Sequence, residues 1–338
     1  MAILCLEIHR EDPSKGMTVF MIKNRLICLL PLVVSLLVIM QYLLMPNFRE
    51  FTPLDQNAPT YVWVWVMGFF AASFAVWNIA AVFSKRVNTR LRKKAPLLAV
   101  IFLLVLIYDY ATLKSGVLPQ PFVPWPDAIL NAIIRDREIL LFSLGHSLRL
   151  LFTGYGIGVA LGILTGVAAG WSLKVRYWIQ PLTRLFGSIP PVTWLPIILI
   201  LANSLFSGAV FLIALAVWYP VTSTTMNGVL NVPKSTFEAA GTFGVSKAAM
   251  IFKVAIPASS PFIFQGLAQG MSIACTALLI AEMMGVEAGL GWYINWQRGW
   301  AEFAAMYGAV VIICITFFAV NTVLDLTKRR VLRWKQEV

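Results

Sequence analysis

Apolar and polar positions along this chain of 338 residues fall into long blocks, not into the period-two alternation of half-buried strands. Apolar runs cover about 26–45, 61–83, 95–113, 146–170, 186–203, 208–228, 260–283 and 303–326. A hydrocarbon layer takes about 20 helical residues to cross, and each run is close to that length. The pattern predicts an all-α fold, a polytopic membrane helix bundle of about eight spans. Tyr61, Trp63 and Trp65 open the second run, as aromatic side chains do at a membrane interface. In the fourth, Gly158, Gly162, Gly166 and Gly170 recur every four residues and share one helix face, which lets another helix approach closely. Pro190, Pro191 and Pro196 require a kink in the fifth. Hydroxyls crowd Tyr219–Asn227 in the sixth, where they are expected to re-satisfy carbonyls around a Pro220 kink, with a place in a solute path as the second reading.

The polar blocks carry the rest of the organisation. Residues 1–25 read as a polar tail, and the run after them is long enough to stay as an anchor, unlike a cleaved signal. Residues 84–94 form a basic loop. Residues 114–142, with Pro119, Pro121, Pro124 and Pro126, are the longest extramembrane stretch, and an amphipathic surface helix is expected over 128–141. In the stretch 235–257, Ser235 and Glu238 have the spacing of a capping box, which opens a helix. Gly244 suits the left-handed residue that closes it. Ser246 can cap a second arm, and Pro257 is expected to stop that arm. The expectation is a helix–turn–helix of two short arms, neither able to cross a bilayer.

Composition agrees: 59% of residues are hydrophobic and 12% charged, against about 25% charged in soluble domains. The net charge of +12 does not indicate nucleic acid, because the basic residues sit at the ends of apolar runs. Of the 27 Lys and Arg, 21 fall on one set of alternate loops and 6 on the other. By the positive-inside rule both termini and the 235–257 loop are cytoplasmic, as in a multi-pass protein of a bacterial-type plasma membrane. Cys5, Cys28, Cys275 and Cys314 show no metal spacing and read as small hydrophobes. With His9 and His146 as the histidines, no metal site is expected. No Gly-Lys pair occurs, so there is no phosphate-binding P-loop of the Walker type.

The candidate working residues are few. Gln265, Gln269, Ser272 and Thr276 fall at i, i+4, i+7 and i+11 and form one polar stripe on the seventh span. They are candidates to line a solute path, or else to hydrogen-bond within the bundle. Glu282, an acid near the outer end of that span, is a path candidate by default or a cap for local backbone. Asp109 is a weaker candidate of the same kind. An ion-gradient-driven secondary transporter is the alternative reading, but the few acids in the spans sit near their ends. No nucleophile–base pair or zinc motif lies inside the spans, so an intramembrane enzyme ranks last.

The stretch 235–257 reads Glu238-Ala239-Ala240, three residues, Gly244, nine residues, Val254, one residue, Ile256, Pro257. That resembles the EAA loop of ABC-importer permeases. Three further passages are similar to the nitrate/sulfonate/taurine type of that family. They are Ser188-Ile189-Pro190-Pro191-Val192-Thr193-Trp194-Leu195-Pro196, Val232-Pro233, and Ala281-Glu282-Met283-Met284 with Gly289-Leu290-Gly291-Trp292. The resemblance spans about 95–338, so residues 1–94, with two spans, are an addition to a permease core. It implies an importer subunit that binds no cofactor itself, with ATP and Mg on a partner. The implied partners are a cytosolic ABC ATPase dimer, a second permease copy in a homodimer, and an extracytoplasmic solute-binding protein. Glu238, Ala239, Ala240, Gly244 and Pro257 would form the ATPase-coupling loop. The implied cargo is a small oxyanion or organic anion. The Trp-Phe-Gly that often follows the Pro196 passage is replaced here by Asn203-Ser204 nearby, which leaves the substrate subgroup open.

Overall fold

A computed structural model describes residues 13–49, 51, 55 and 58–333, with side chains from residue 26 onward. The first part of the expected polar tail, with Arg10 and Cys5, lies outside the described residues, as does Lys335. The chain divides into two compact units, residues 1–135 and 136–338. The described residues form helices and contain no strand.

The first unit holds α1 (Pro13–Leu44), α2 (Val62–Phe83), α3 (Lys85–Asp109, extended by a π-helical turn Tyr110–Lys114) and α4 (Pro126–Arg135). The expected basic loop 84–94 is not a loop. Only Ser84 is extended, and the basic residues ride on the first turns of α3. Lys, Arg and Leu are good helix formers, and the apolar run behind them carries the helix back through them. α1 and α3 run parallel: Cys28 meets Asn88 at one end, and Gln41 donates to Asp109 at 3.1 Å near the other. The Lys114 ammonium donates to the Tyr42 and Met45 carbonyls and to Asn47 Oδ1, and so closes the end of α1. The expected surface helix over 128–141 is two helices, because α4 ends at Arg135. Its Asp127 faces inward and accepts from the Thr60 and Trp63 N–H groups at 2.6 and 2.8 Å, capping α2.

The second unit begins with α5 (Arg137–Trp171), then α6 (Leu173–Ser188), a 3₁₀ turn (Pro191–Trp194), α7 (Leu195–Leu201) and α8 (Leu205–Leu230). It continues with α9 (Lys234–Thr242), α10 (Lys247–Met250), a π-helical turn (Ile251–Ala255), α11 (Ile256–Met284), α12 (Leu290–Gly299) and α13 (Phe303–Val331). α8 is the centre, packed by α5 on one side and α11 on the other. Leu212, Ile213, Ala216, Val217 and Val221 of α8 are buried against Leu150, Met271, Ala274 and Leu278. In lipid the gain comes from close contact, since the tails are as apolar as the side chains.

The glycine stripe makes that contact possible. A Cβ on Gly154, Gly162 or Gly170 would stand 2.6–2.7 Å from the Cβ of Ile213, Val221 or Val229. On Gly158 it would meet the Ala214 carbonyl oxygen at 2.6 Å, and on Gly166 the Thr225 Cβ at 2.6 Å. The partner numbers rise with the glycine numbers, so α5 and α8 are parallel. The chain leaves α5 at one end of the pair and enters α8 at the other. Residues 172–204 must therefore cross back. They do so as a broken span: α6 and the 191–201 segment meet at 94°. The expected single kinked helix over 186–203 is thus two pieces. Pro190 and Pro191 remove consecutive donors, and Ile189 before them is forced extended (φ −105°, ψ 122°). Among the described residues seven helices are long and apolar enough to cross a membrane, and counting this bent pair as one span makes eight.

Candidate functional site

The stretch 235–257 forms the turn between α8 and α11. α9 opens at Lys234, with Pro233 as its N-cap and no side-chain cap. The expected Ser235/Glu238 capping box does not form. Pro233 fixes the entry two residues earlier (φ −57°, ψ 136°), and this places Ser235 inside the first turn. The exit follows expectation. Gly244 is left-handed at φ +70°, its N–H donates to the Gly241 carbonyl at 3.0 Å, and Val245 N–H reaches the Ala240 carbonyl at 3.3 Å. That pair of bonds is a Schellman closure. Ser246 Oγ then accepts from Ala249 N–H at 3.4 Å and opens α10.

The second arm is not a separate short helix. α10 runs through the π-helical turn into α11, and Pro257 sits in the first turn of α11 instead of stopping anything. A π turn widens the backbone by one residue just where the proline ring would press on a preceding carbonyl. Glu238, Ala239 and Gly244 are exposed, Ala240 half-buried, and Pro257 exposed. A Cβ on Gly241 or Gly244 would touch nothing. Beside them Phe243 and Phe252 are 86% and 69% exposed. Spacing arguments did not single out these two rings; phenylalanines in a semi-polar loop were the available signal. α9 is seated on the bundle end by Phe237, which meets Trp171 edge-on at 5.7 Å.

The polar stripe lies on one open face of α11. Gln265, Gln269, Ser272 and Thr276 are all exposed, whereas Gly266, Gly270 and Met271 on other faces are buried. Ser272 and Thr276 donate to the carbonyls one turn back. Gln269 and Ser272 line a groove of about 680 Å³ whose other walls are Thr183, Arg184, Gly187 and Ser188 of α6 and Tyr219, Pro220, Ser223 and Thr224 of α8. Gln265 and Thr276 share the face but not the groove. Thr224 Oγ1 donates to the Pro220 carbonyl at 2.7 Å, so the hydroxyls near Pro220 serve the backbone as well as the groove. Arg184 was legible only as a loop cation, because its helix was expected to begin later.

Glu282 is elsewhere. Six residues beyond Thr276 it has turned roughly 120° away from the stripe, and it is 1% exposed. Its carboxylate accepts from Ser147 Oγ at 2.6 Å and from Gly291 N–H at 2.8 Å, while Leu290 N–H donates to Ser147 Oγ at 2.9 Å. It caps α12 from α11 and ties both to α5, which is its backbone-capping reading. A Cβ on Gly289, which is at φ +123°, would collide with this carboxylate, and one on Gly291 would stand 2.8 Å from both the Glu282 Cβ and the Leu279 carbonyl oxygen. Among the described residues no cluster of acids, thiols or imidazoles could hold a metal. The groove offers hydroxyls, an amide and a guanidinium: groups that bind, with no nucleophile–base pair among them.

A family model described as binding-protein-dependent transport system inner membrane component matches residues 158–336. The chain is 27% identical over 244 residues to the taurine transport system permease protein TauC of Escherichia coli K12, covering 70% of this chain and 89% of that one. It is 26% identical over 225 residues to the putative aliphatic sulfonates transport permease protein SsuC of Bacillus subtilis 168, covering 65% and 80%. In fold it is similar to a chain of the MetNI methionine ABC transporter in an inward-facing conformation, with TM-score 0.51, 18% identity, and coverage of 58% and 98%. With more than half its length matched, and the loop and bundle arranged as described, the chain belongs to the family of inner membrane components of binding-protein-dependent transport systems.

Proposed function

We propose that this chain is the permease subunit of an ATP-driven importer, coupled to cytosolic ATPases through residues 234–257. The observation that carries it is the α9 turn. A Schellman-closed helix, too short to span, holds Ala239, Gly241, Gly244 and two bare phenylalanines at one end of the bundle. Small residues admit a protein surface, and exposed rings ask for a pocket. Glu238, Ala239, Ala240, Gly244 and Pro257 are its working residues. A second copy of the chain closes the open face of α11, groove included, into a path lined by Gln265, Gln269, Ser272 and Thr276. Residues 95–338 serve as the permease core and 1–94 as an added portion; the family match lies inside the former. The chain performs no catalysis itself; ATP and Mg sit on the ATPase pair, and a solute-binding protein delivers cargo from outside. Eight crossings and the 21-to-6 charge division support cytoplasmic termini. The transported solute is a small oxyanion or organic anion, by likeness to the taurine and sulfonate permeases.

An ion-gradient mechanism is disfavoured by the state of the acids. Glu282 is held by a hydroxyl and a backbone N–H, and Asp109 accepts from Gln41. Glu282 does not line the groove. Purification of the tagged chain from its own membranes, with partners and ligand identified by mass spectrometry, tests the proposal. An ABC ATPase and a solute-binding protein are expected. Uptake by the isolated chain that follows an imposed ion gradient, with no ATPase, contradicts it.

A further inference from the structure

α6 carries two arginines with different fates. Arg176 is used by the backbone: its guanidinium donates to the Ala169 and Gly170 carbonyls at 3.1 Å each and closes the end of α5. Arg184 lines the groove, exposed, with no ion-pair partner among the described residues. It is the one formal charge on the groove wall; the rest of the lining is hydroxyl, amide and apolar. Its depth follows from the packing. Gly187, one turn on, would place a Cβ 3.4 Å from the Tyr219 ring. Tyr219 lies some 15 Å along α8 from Val229, at 1.5 Å per residue, and Val229 is level with Gly170 at the α5 end. Arg184 stands about one turn, roughly 5 Å, nearer that end than Gly187, and a guanidinium there, facing a groove of about 680 Å³, favours an anion passing it and opposes a cation.

We propose that Arg184 is the charge-selecting residue of the path, with the Gln269 amide on the facing wall supplying a neutral donor. This rests on the groove being the path. Thus the test must separate failure of the path from failure of Arg184. The reporter is Ser272→Cys, across the groove on α11, in the full chain with its native cysteines replaced and held in membranes with its ATPase. The probes are an anionic and a cationic methanethiosulfonate of similar size, each rate divided by that for a free thiol. With Arg184 present the anionic reagent is expected to react faster. In Arg184→Gln the anionic-to-cationic ratio falls at least about fivefold, the scale of a nearby partly screened charge, and Arg184→Lys largely restores it. Labelling by both reagents with a ratio indifferent to residue 184 overturns the proposal and leaves the path standing; Arg184 would then be a cation turned toward lipid headgroups. No labelling by either reagent overturns both.

Discussion

Glu282 shows how much a single buried side chain can decide. It satisfies Gly291 N–H and Ser147 Oγ together, and it forbids a Cβ at Gly289 and Gly291. Removing it leaves buried donors unpaired, at about 1–3 kcal/mol each. Glu282→Ala is therefore expected to lower the melting temperature of the detergent-solubilised chain by several degrees. Glu282→Gln keeps an acceptor for Gly291 and is expected to cost less. Gln269→Leu on the groove wall is expected to leave the melting temperature unchanged while lowering transport. A Glu282→Ala protein as stable as its parent, measured by thermal unfolding of tryptophan fluorescence, contradicts the structural role. The sequence marked Glu282 as unusual but not which way it faced. That depends on α12 folding back against α5, where Leu290 N–H meets Ser147 across 143 residues of chain.

At the scale of elements, the α5–α8 contact and the α9 turn rest on glycine for different reasons. Gly166 is needed because Thr225 occupies the space, whereas Gly156 faces nothing within 4 Å. Gly166→Leu is expected to destabilise by about 1–3 kcal/mol through overpacking, read as loss of folded, assembled protein in size-exclusion chromatography. Gly156→Leu in the same assay is expected to behave like the parent. Caps separate in the same way. Ser246→Ala removes a formed cap and should weaken the turn by about 1 kcal/mol, seen as faster amide hydrogen exchange over 246–250. Ser235→Ala removes none, and equal effects of the two would contradict the cap assignment. The small-residue stripe, the left-handed Gly244 and the polar face of α11 were all legible, because each follows from local period or a single backbone requirement. The capping box and the stop at Pro257 were misread. Pro233, two residues before Ser235, fixed the start of α9, and a π turn absorbed Pro257, which no short window of residues announces.

For the whole molecule, the parallel run of α5 and α8 requires residues 172–204 to cross the membrane. Apolar length alone showed a run at 186–203 but not that the crossing is bent by 94°. Cysteines placed at Lys174 and Asn203, in a chain with its native cysteines replaced, are expected to label from opposite sides of sealed membranes. Cysteines at Lys93 and Arg330 should label from the inside and one at Pro124 from the outside. Labelling of positions 174 and 203 from one side would make the bent pair re-entrant and put the α9 turn opposite its ATPase.

Coupling of uptake to ATP hydrolysis through that turn is probed at Gly244. Its φ of +70° strains any side chain there, while open space around it leaves the fold free to form. The measurement is ATP hydrolysis and solute uptake by the permease reconstituted with its ATPase and binding protein, Gly244→Asp beside the parent. Gly244→Asp is expected to insert normally, retain less ATPase on co-purification, and lose uptake more than tenfold, with hydrolysis no longer stimulated by loaded binding protein. Normal docking with normal stimulated hydrolysis and uptake in Gly244→Asp would contradict that coupling.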